Sequence, residues 1–376
     1  MDNIPLSIPH LDGNEWEYIK ECLDTNWVSS VGKYVEKFEE DIAQYIGTNH
    51  AVATVNGTAA IHMALKVLGV KEGDKVLVPT LTFIASVNPI KYCNADPVFI
   101  DAEKETYNID PDKLEEKIIE LIKEGNKPKV LIVVHLYGHP AEMDFILDIC
   151  KKYDIKVIED ATESIGSEYK EQKTGSIGDI GCFSFNGNKL ITTGGGGMLV
   201  TDNEKWAEKV KYLTTQAKDD PEQFIHHEVG YNYRLTNIQA AMGVAQLEQI
   251  DDFINKKREI AHKYNELLSE IEGIKVNPDK EWAFNNYWLY SILIDEEKFG
   301  MDSKQLYKKL NDAGIMSRPF FKPIHNMPMY KDCDKSNTDN AAELWWQGIN
   351  LPCSVSLEIS KVEYISEKIK EIKGKQ

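Results

Sequence analysis

Apolar residues recur along the chain in two alternating rhythms. Val35, Phe38, Ile42 and Ile46 fall at helical spacing and form one stripe, which Gly47 stops. The run Ala51 to Val55 then reads as a strand, Asn56-Gly57-Thr58 as a turn, and Ala59 to Leu68 as a helix closed by Gly69. Lys75 to Pro79 and Pro97 to Asp101 read as further strands. Pro111 opens a helix that runs to about Glu124. Lys129 to His135 is almost wholly apolar, the pattern of a strand covered on both faces. A helix from Met143 to Tyr153 and a strand from Lys156 to Asp160 follow.

Strands separated by helices of this length predict parallel pairing with right-handed crossovers. Residues 1–250 therefore read as one large α/β domain. A long helical stretch runs from Asn237 to about Ile271, broken once near Asp251. Beyond it the pattern changes to a strand at Tyr287–Ile294, a helix at Lys304–Ala313 and a last helix at Lys361–Ile372. Residues 251–376 read as a smaller α+β domain, and a chain of 376 residues has room for both. No internal repeat or low-complexity segment interrupts the pattern.

Composition narrows the function. The formal charge is −18 and no Lys/Arg cluster stands out, which argues against nucleic acid as a partner. Apolar runs such as Val130 to Leu136 are too short to span a bilayer. The N-terminal stretch from Met1 to Ser7 has neither a basic nor an apolar region, so no secretory signal is expected. Without export, the glycosylation pattern at Asn56-Gly57-Thr58 carries no meaning. Cys22, Cys93, Cys150, Cys182, Cys333 and Cys353 are scattered without metal-binding spacing and read as reduced thiols of a cytosolic enzyme. No metal is expected.

The chemistry concentrates in the stretch from Phe183 to Thr201. There a single lysine, Lys189, precedes four glycines, Gly194 to Gly197. Two readings are open: a solvated loop lysine beside a permissive turn, or a partly desolvated amine able to form a Schiff base with an aldehyde cofactor. Pyridoxal phosphate is the common case. It asks for a carboxylate at the pyridine nitrogen, a helix start for the phosphate and an aromatic face for the ring. Asp160 ends a strand at the sheet's carboxyl edge, or is simply a cap. Gly57-Thr58-Ala59 is a strand-to-helix turn suited to phosphate, or an ordinary N-cap. Phe83 could stack on the ring or belong to a core, and Ser184 could add a hydroxyl to the phosphate. The glycines form neither G-x-G-x-x-G nor a Walker loop, which disfavours a nicotinamide enzyme.

Taken in chain order these pieces resemble a known family. They are Trp27 to Gly32 with Phe38-Glu39, Asn56 to Ala60, Pro79 to Phe83, Val134 to Gly138, Glu159-Asp160-Ala161, Ser184 to Lys189, Thr193 to Met198, Gly230 to Arg234, and Arg318 to Phe321. Over nearly its whole length the chain resembles the DegT/DnrJ/EryC1/StrS pyridoxal-phosphate sugar aminotransferases. The resemblance implies the type I (aspartate aminotransferase) fold, with a mostly parallel sheet flanked by helices and a smaller C-terminal domain. It implies that Lys189 carries the cofactor, that Asp160 partners the pyridinium and that Phe83 stacks on the ring. Gly57, Thr58, Ala59 and Ser184 are implied phosphate ligands. Glu163 stands near the cofactor hydroxyl, where many members carry Gln or His. Asn232 is implied to reach the phosphate of a second subunit, making a cytoplasmic homodimer with shared sites. Members with His in place of the lysine are sugar 3-dehydratases, and Lys189 argues against that activity.

The resemblance also suggests the reaction: L-glutamate as amino donor and a nucleotide-linked keto sugar as acceptor, in ping-pong order. The expected substrate is a UDP- or GDP-linked 2-acetamido-4-keto-2,6-dideoxy hexose, aminated at C4 for a bacterial surface glycan. Alternatives are a 3-aminotransferase, a perosamine synthase, or a pyridoxal-phosphate-binding regulatory protein without turnover. Ser29, Lys33, Asn188, Arg234, Arg318 and His325 are candidates for sugar or diphosphate contacts, with structural pairing as the competing reading for the charged ones. Trp282, Trp345 and Trp346 read as core or interface anchors.

Overall fold

The apolar runs pair into a sheet of seven strands: β1 (His50–Thr54), β2 (Lys75–Pro79), β3 (Asp96–Ile100), β4 (Val130–Val134), β5 (Lys156–Asp160), β6 (Ile180–Ser184) and β7 (Gly197–Thr201). The structure is a computed structural model and describes residues 3–220, 222–277 and 279–374. Met1 and Asp2, at the start of the stretch read for a signal, and the last two residues of the chain lie outside that range. Spatial order is β1-β7-β6-β5-β4-β2-β3. Pairs β2–β3, β2–β4, β4–β5 and β5–β6 are parallel, as helical crossovers require. β7 departs from the all-parallel expectation and runs antiparallel to both β1 and β6. It follows β6 through a loop with no helix, so nothing obliges the chain to return before pairing.

Successive residues of a strand point to opposite faces, and both faces are covered. From β4, Val130 and Ile132 pack with Ile61, Met63 and Phe99 on one side, while Leu131 and Val133 pack with Leu114, Ile118 and Ile146 on the other. The predicted helical stretch after Thr236 is two helices, Asn237–Leu247 and Ile250–Leu268, with the break at Glu248–Gln249. Thr236 and Gln239 form a capping box at its start.

A second sheet comprises β8 (Ile274–Val276), β9 (Tyr290–Ile294), β10 (Arg318–Pro319) and β11 (Gly348–Leu351), ordered β8-β9-β11-β10 and antiparallel throughout. Helices Ser303–Asp312, Ile359–Gly374 and Ile250–Leu268 contribute Leu306, Ile365 and Tyr264 to its core. β9 begins at Tyr290 rather than Tyr287, because Tyr287 turns the chain with φ 50°. A division near residue 250 is our proposal for this arrangement; Ile4 and Leu6, from the other end of the chain, pack into the second core. Among the described residues no helix is long and apolar enough to cross a membrane.

The fold's consequence for function is geometric. β2, β4, β5 and β6 run the same way, so Pro79, Val134, Asp160 and Ser184 end at one edge of the large sheet. Loops at that edge face residues 318–322 from the second sheet.

Candidate active site

A cavity of about 790 Å³ opens at this edge and brings together Gly57, Thr58, Phe83, Asp160, Glu163, Ser184, Asn188, Lys189 and Arg318. The Lys189 side chain is 12% exposed, and its Nζ lies 3.7 Å from Glu163 Oε1. Burial lowers the amine's pKa, partly opposed by the negative charge of Glu163 and Asp160. Burial pushes the Glu163 carboxyl the other way, up to about 7, against the pull of Lys189 and of the Tyr137 N–H, which donates to Oε2 at 2.8 Å. A carboxyl and an amine that each resist ionisation thus sit side by side.

Asp160 is 2% exposed, at the tip of β5. Its Oδ2 accepts from Ser86 Oγ at 2.6 Å and its Oδ1 from the Thr162 N–H at 3.2 Å. Ser86 spends its one hydroxyl hydrogen on Asp160, so the Thr82 hydroxyl, 2.9 Å away, donates to Ser86. Thr82 falls within the Pro79–Phe83 motif but was given no role from the sequence, and Ser86 was not singled out. Their loop position after β2 gave no local sign that they would reach a residue on β5.

The turn at Asn56 starts the helix Gly57–Val67. Asn56 Oδ1 caps it by accepting from the Ala59 N–H at 2.8 Å, so that N–H is taken and Ala59 does not face the cavity. Gly57 and Thr58, in the first turn, carry N–H groups without an intrahelical partner. A Cβ at Gly57 would lie 3.0 Å from Ser184 Cβ and 3.2 Å from the Phe183 carbonyl oxygen. Glycine here lets the helix start close onto the end of β6, where the Ser184 hydroxyl sits. Gly197, the last of the glycines after Lys189, serves this same junction. None of Gly194 to Gly197 lines the cavity, and a Cβ at Gly197 would lie 2.4 Å from the Asn56 carbonyl carbon. The close approach of Gly197 is to the backbone of the helix start.

These donors match pyridoxal phosphate. Lys189 offers an amine for the aldehyde and Asp160 a held anion for the ring nitrogen. The first turn at Gly57-Thr58 with Ser184 offers donors for a phosphate, and Phe83, 54% exposed, offers an open ring face. The crowding at Gly57 shows a cradle already closed to any larger side chain.

Other sequence candidates fall elsewhere. The Arg234 side chain is largely covered, 9% exposed, and paired with Glu39 at 2.7 Å. His325 is buried against Thr80 at 2.7 Å, and burial lowers its pKa to about 4, so it is neutral. Lys33 pairs with Glu21 on the surface, and Ser29 and Asn232 are exposed away from the cavity of their own chain. Trp345 lines the cavity rim, while Trp282 packs against Tyr169 and His139. Lining residues missed from the sequence include Trp288, Phe321, Lys322 and Asn350.

The DegT/DnrJ/EryC1/StrS aminotransferase family model matches residues 9–370. The chain is 44% identical over 371 residues to GDP-perosamine synthase of Escherichia coli O157:H7, covering 99% of each. It is 33% identical over 367 residues to a UDP-4-amino-4,6-dideoxy-N-acetyl-beta-L-altrosamine transaminase of Campylobacter jejuni, covering 97% of this chain and 96% of that one. The PLP form of Spr1654 from Streptococcus pneumoniae superposes with a TM-score of 0.92 at 27% identity, over 99% of both chains. The chain belongs to the DegT/DnrJ/EryC1/StrS family of sugar aminotransferases, with the type I fold and pyridoxal phosphate as its cofactor.

Proposed function

We propose that the protein moves an amino group from L-glutamate to C4 of a nucleotide-linked 4-keto-6-deoxy sugar. The observation that carries this reading is one cavity holding the largely buried Lys189 amine and the Asp160 carboxylate. When bound, the cofactor supplies an electron-withdrawing ring that carries the amino group between the two substrates. Asp160, held by Ser86, would keep a proton on the ring nitrogen. Gly57 and Thr58 N–H groups and Ser184 Oγ would hold the phosphate, and Phe83 would cover one ring face. With the cofactor bound, Lys189 Nζ would take the proton from the donor's Cα and deliver it to the carbon that had held the lysine, the transfer that amino exchange requires. Glu163, beside it, receives or lends a proton at Oε1 as the amine changes charge. Arg318 and Asn188 stand at the cavity mouth for the sugar nucleotide. Asn232, exposed beside Tyr231 and Tyr233, fits a contact with a second copy, so the working unit is a homodimer.

The more similar of the two relatives bears a GDP-sugar name and the less similar a UDP-sugar name. Of the UDP- or GDP-linked acceptor expected from the sequence, that favours the guanosine-linked form. The test is to incubate the protein with L-glutamate and a panel of GDP- and UDP-linked keto sugars, reading the products by NMR. The expected result is a GDP sugar with a new amine at C4. Amination at C3, or a cofactor-loaded protein that aminates nothing, would overturn the proposal.

A further inference from the structure

Trp288 lines the cavity from the second sheet's side. It is 4% exposed and precedes β9 of the second sheet, yet Lys189 Nζ lies 3.9 Å from its ring centroid. Its indole Nε1–H donates to the Asn188 carbonyl at 2.8 Å, one residue before that lysine. Among the described residues no carboxylate oxygen is nearer the amine than Glu163 Oε1, at 3.7 Å, and the ring centroid is only 0.2 Å farther away. Trp288 is itself held. Its N–H donates to Asn286 Oδ1 at 2.8 Å, and Asn286 Nδ2 donates to the Glu163 and Ile165 carbonyls at 3.2 and 3.0 Å. The Leu289 N–H donates to the Tyr137 carbonyl at 3.3 Å, and Cys353 Sγ to the Trp288 carbonyl at 3.4 Å. One rigid side chain thus grips the lysine's stretch at two points: the Asn188 carbonyl just before it through a hydrogen bond, and its amine through an aromatic face.

We propose that Trp288 is a positioning residue for Lys189, seating the amine whenever it is free of cofactor and keeping it in place for proton transfer. This rests on the reading that Lys189 is the reacting amine. An ammonium over an indole is stabilised by the ring's electron-rich face, and a neutral amine keeps the same packing. Leucine at 288 would leave both grips empty, whereas phenylalanine would keep a face and lose the indole N–H.

The test uses the whole protein in two forms. Cofactor-free protein is labelled with carbon-13 at lysine Cε, and Lys189→Arg identifies the Lys189 signal. Ring current should shift the Lys189 ε-protons upfield in the wild type, largely retain that shift in W288F and abolish it in W288L. In cofactor-loaded protein, single-turnover reaction with L-glutamate should slow about tenfold in W288L, with cofactor absorbance retained and the glutamate KM little changed. An unshifted Lys189 signal in the wild type, or a W288L half-reaction at the wild-type rate, overturns the inference. Should W288L fail to fold, W288F decides: a kept shift with slower turnover supports the seat, and a lost shift or an unchanged rate refutes it. A wild type that binds no pyridoxal phosphate defeats the functional reading, while the labelled spectrum still judges the seat.

Discussion

Replacing Glu163 by glutamine isolates the most unusual electrostatic feature of the cavity. In the folded chain, burial raises this carboxyl from 4.5 to about 7, with Lys189 opposing and Asp160 adding slightly. Between those two values the folded state holds a proton that the unfolded chain has released, so stability falls as pH rises through the window. At about 1.4 kcal/mol per pH unit, the fall amounts to about 3 kcal/mol by neutral pH. Glutamine is the same size, keeps an oxygen for the Tyr137 N–H and does not titrate. Cofactor-free Glu163→Gln should therefore match the wild type near pH 4.5 and grow progressively more stable than it as pH rises, the gap levelling off above about 7. Urea unfolding of both proteins across that range reads the difference directly. Parallel stability curves would refute the reasoning, because they would mean that Glu163 ionises as freely in the fold as in the unfolded chain.

Other substitutions separate holding from catalysis. Ser86→Ala removes the 2.6 Å hydrogen bond on Asp160, a charged-group contact worth about 1.5–3 kcal/mol. Turnover should fall roughly ten- to hundredfold while the cofactor's absorbance persists. Arg234→Ala should destabilise the fold by about 1.5–3 kcal/mol, since it removes one charged hydrogen bond to the buried Glu39, which keeps Lys211 at 3.5 Å and the Ala53 N–H at 2.8 Å, and chemical denaturation should show the loss. Arg318→Ala, at the open mouth, should instead leave stability intact and raise the KM for the sugar nucleotide about tenfold in steady-state assays.

The sheet was legible because its signals are local. β4 is apolar along its length, Pro111 marks a helix start, and Asp160 follows four strand residues, so its place at the sheet edge follows from counting. Lys189, Asp160, Gly57, Thr58, Phe83 and Ser184 fall together because strand ends in a parallel sheet share an edge. The antiparallel β7 was not legible, since a loop without a helix leaves direction open. Side-chain partners were harder still. Arg234 finds Glu39 across 195 positions, and Trp288 finds the Asn188 carbonyl across 100. Nothing in the neighbourhood of a residue encodes a contact at that separation. An exposed cation for diphosphate and a buried structural one therefore look alike in the sequence. The Thr82–Ser86–Asp160 relay was hidden for the same reason.

The central claim is that one amine, Lys189, carries the cofactor. Borohydride reduction of the pyridoxal-phosphate-loaded protein, followed by peptide mapping, tests it directly. The account predicts a single modified peptide with the label on Lys189, and none in Lys189→Ala. A label on any other lysine, or a protein that releases all its cofactor unreduced, would contradict it.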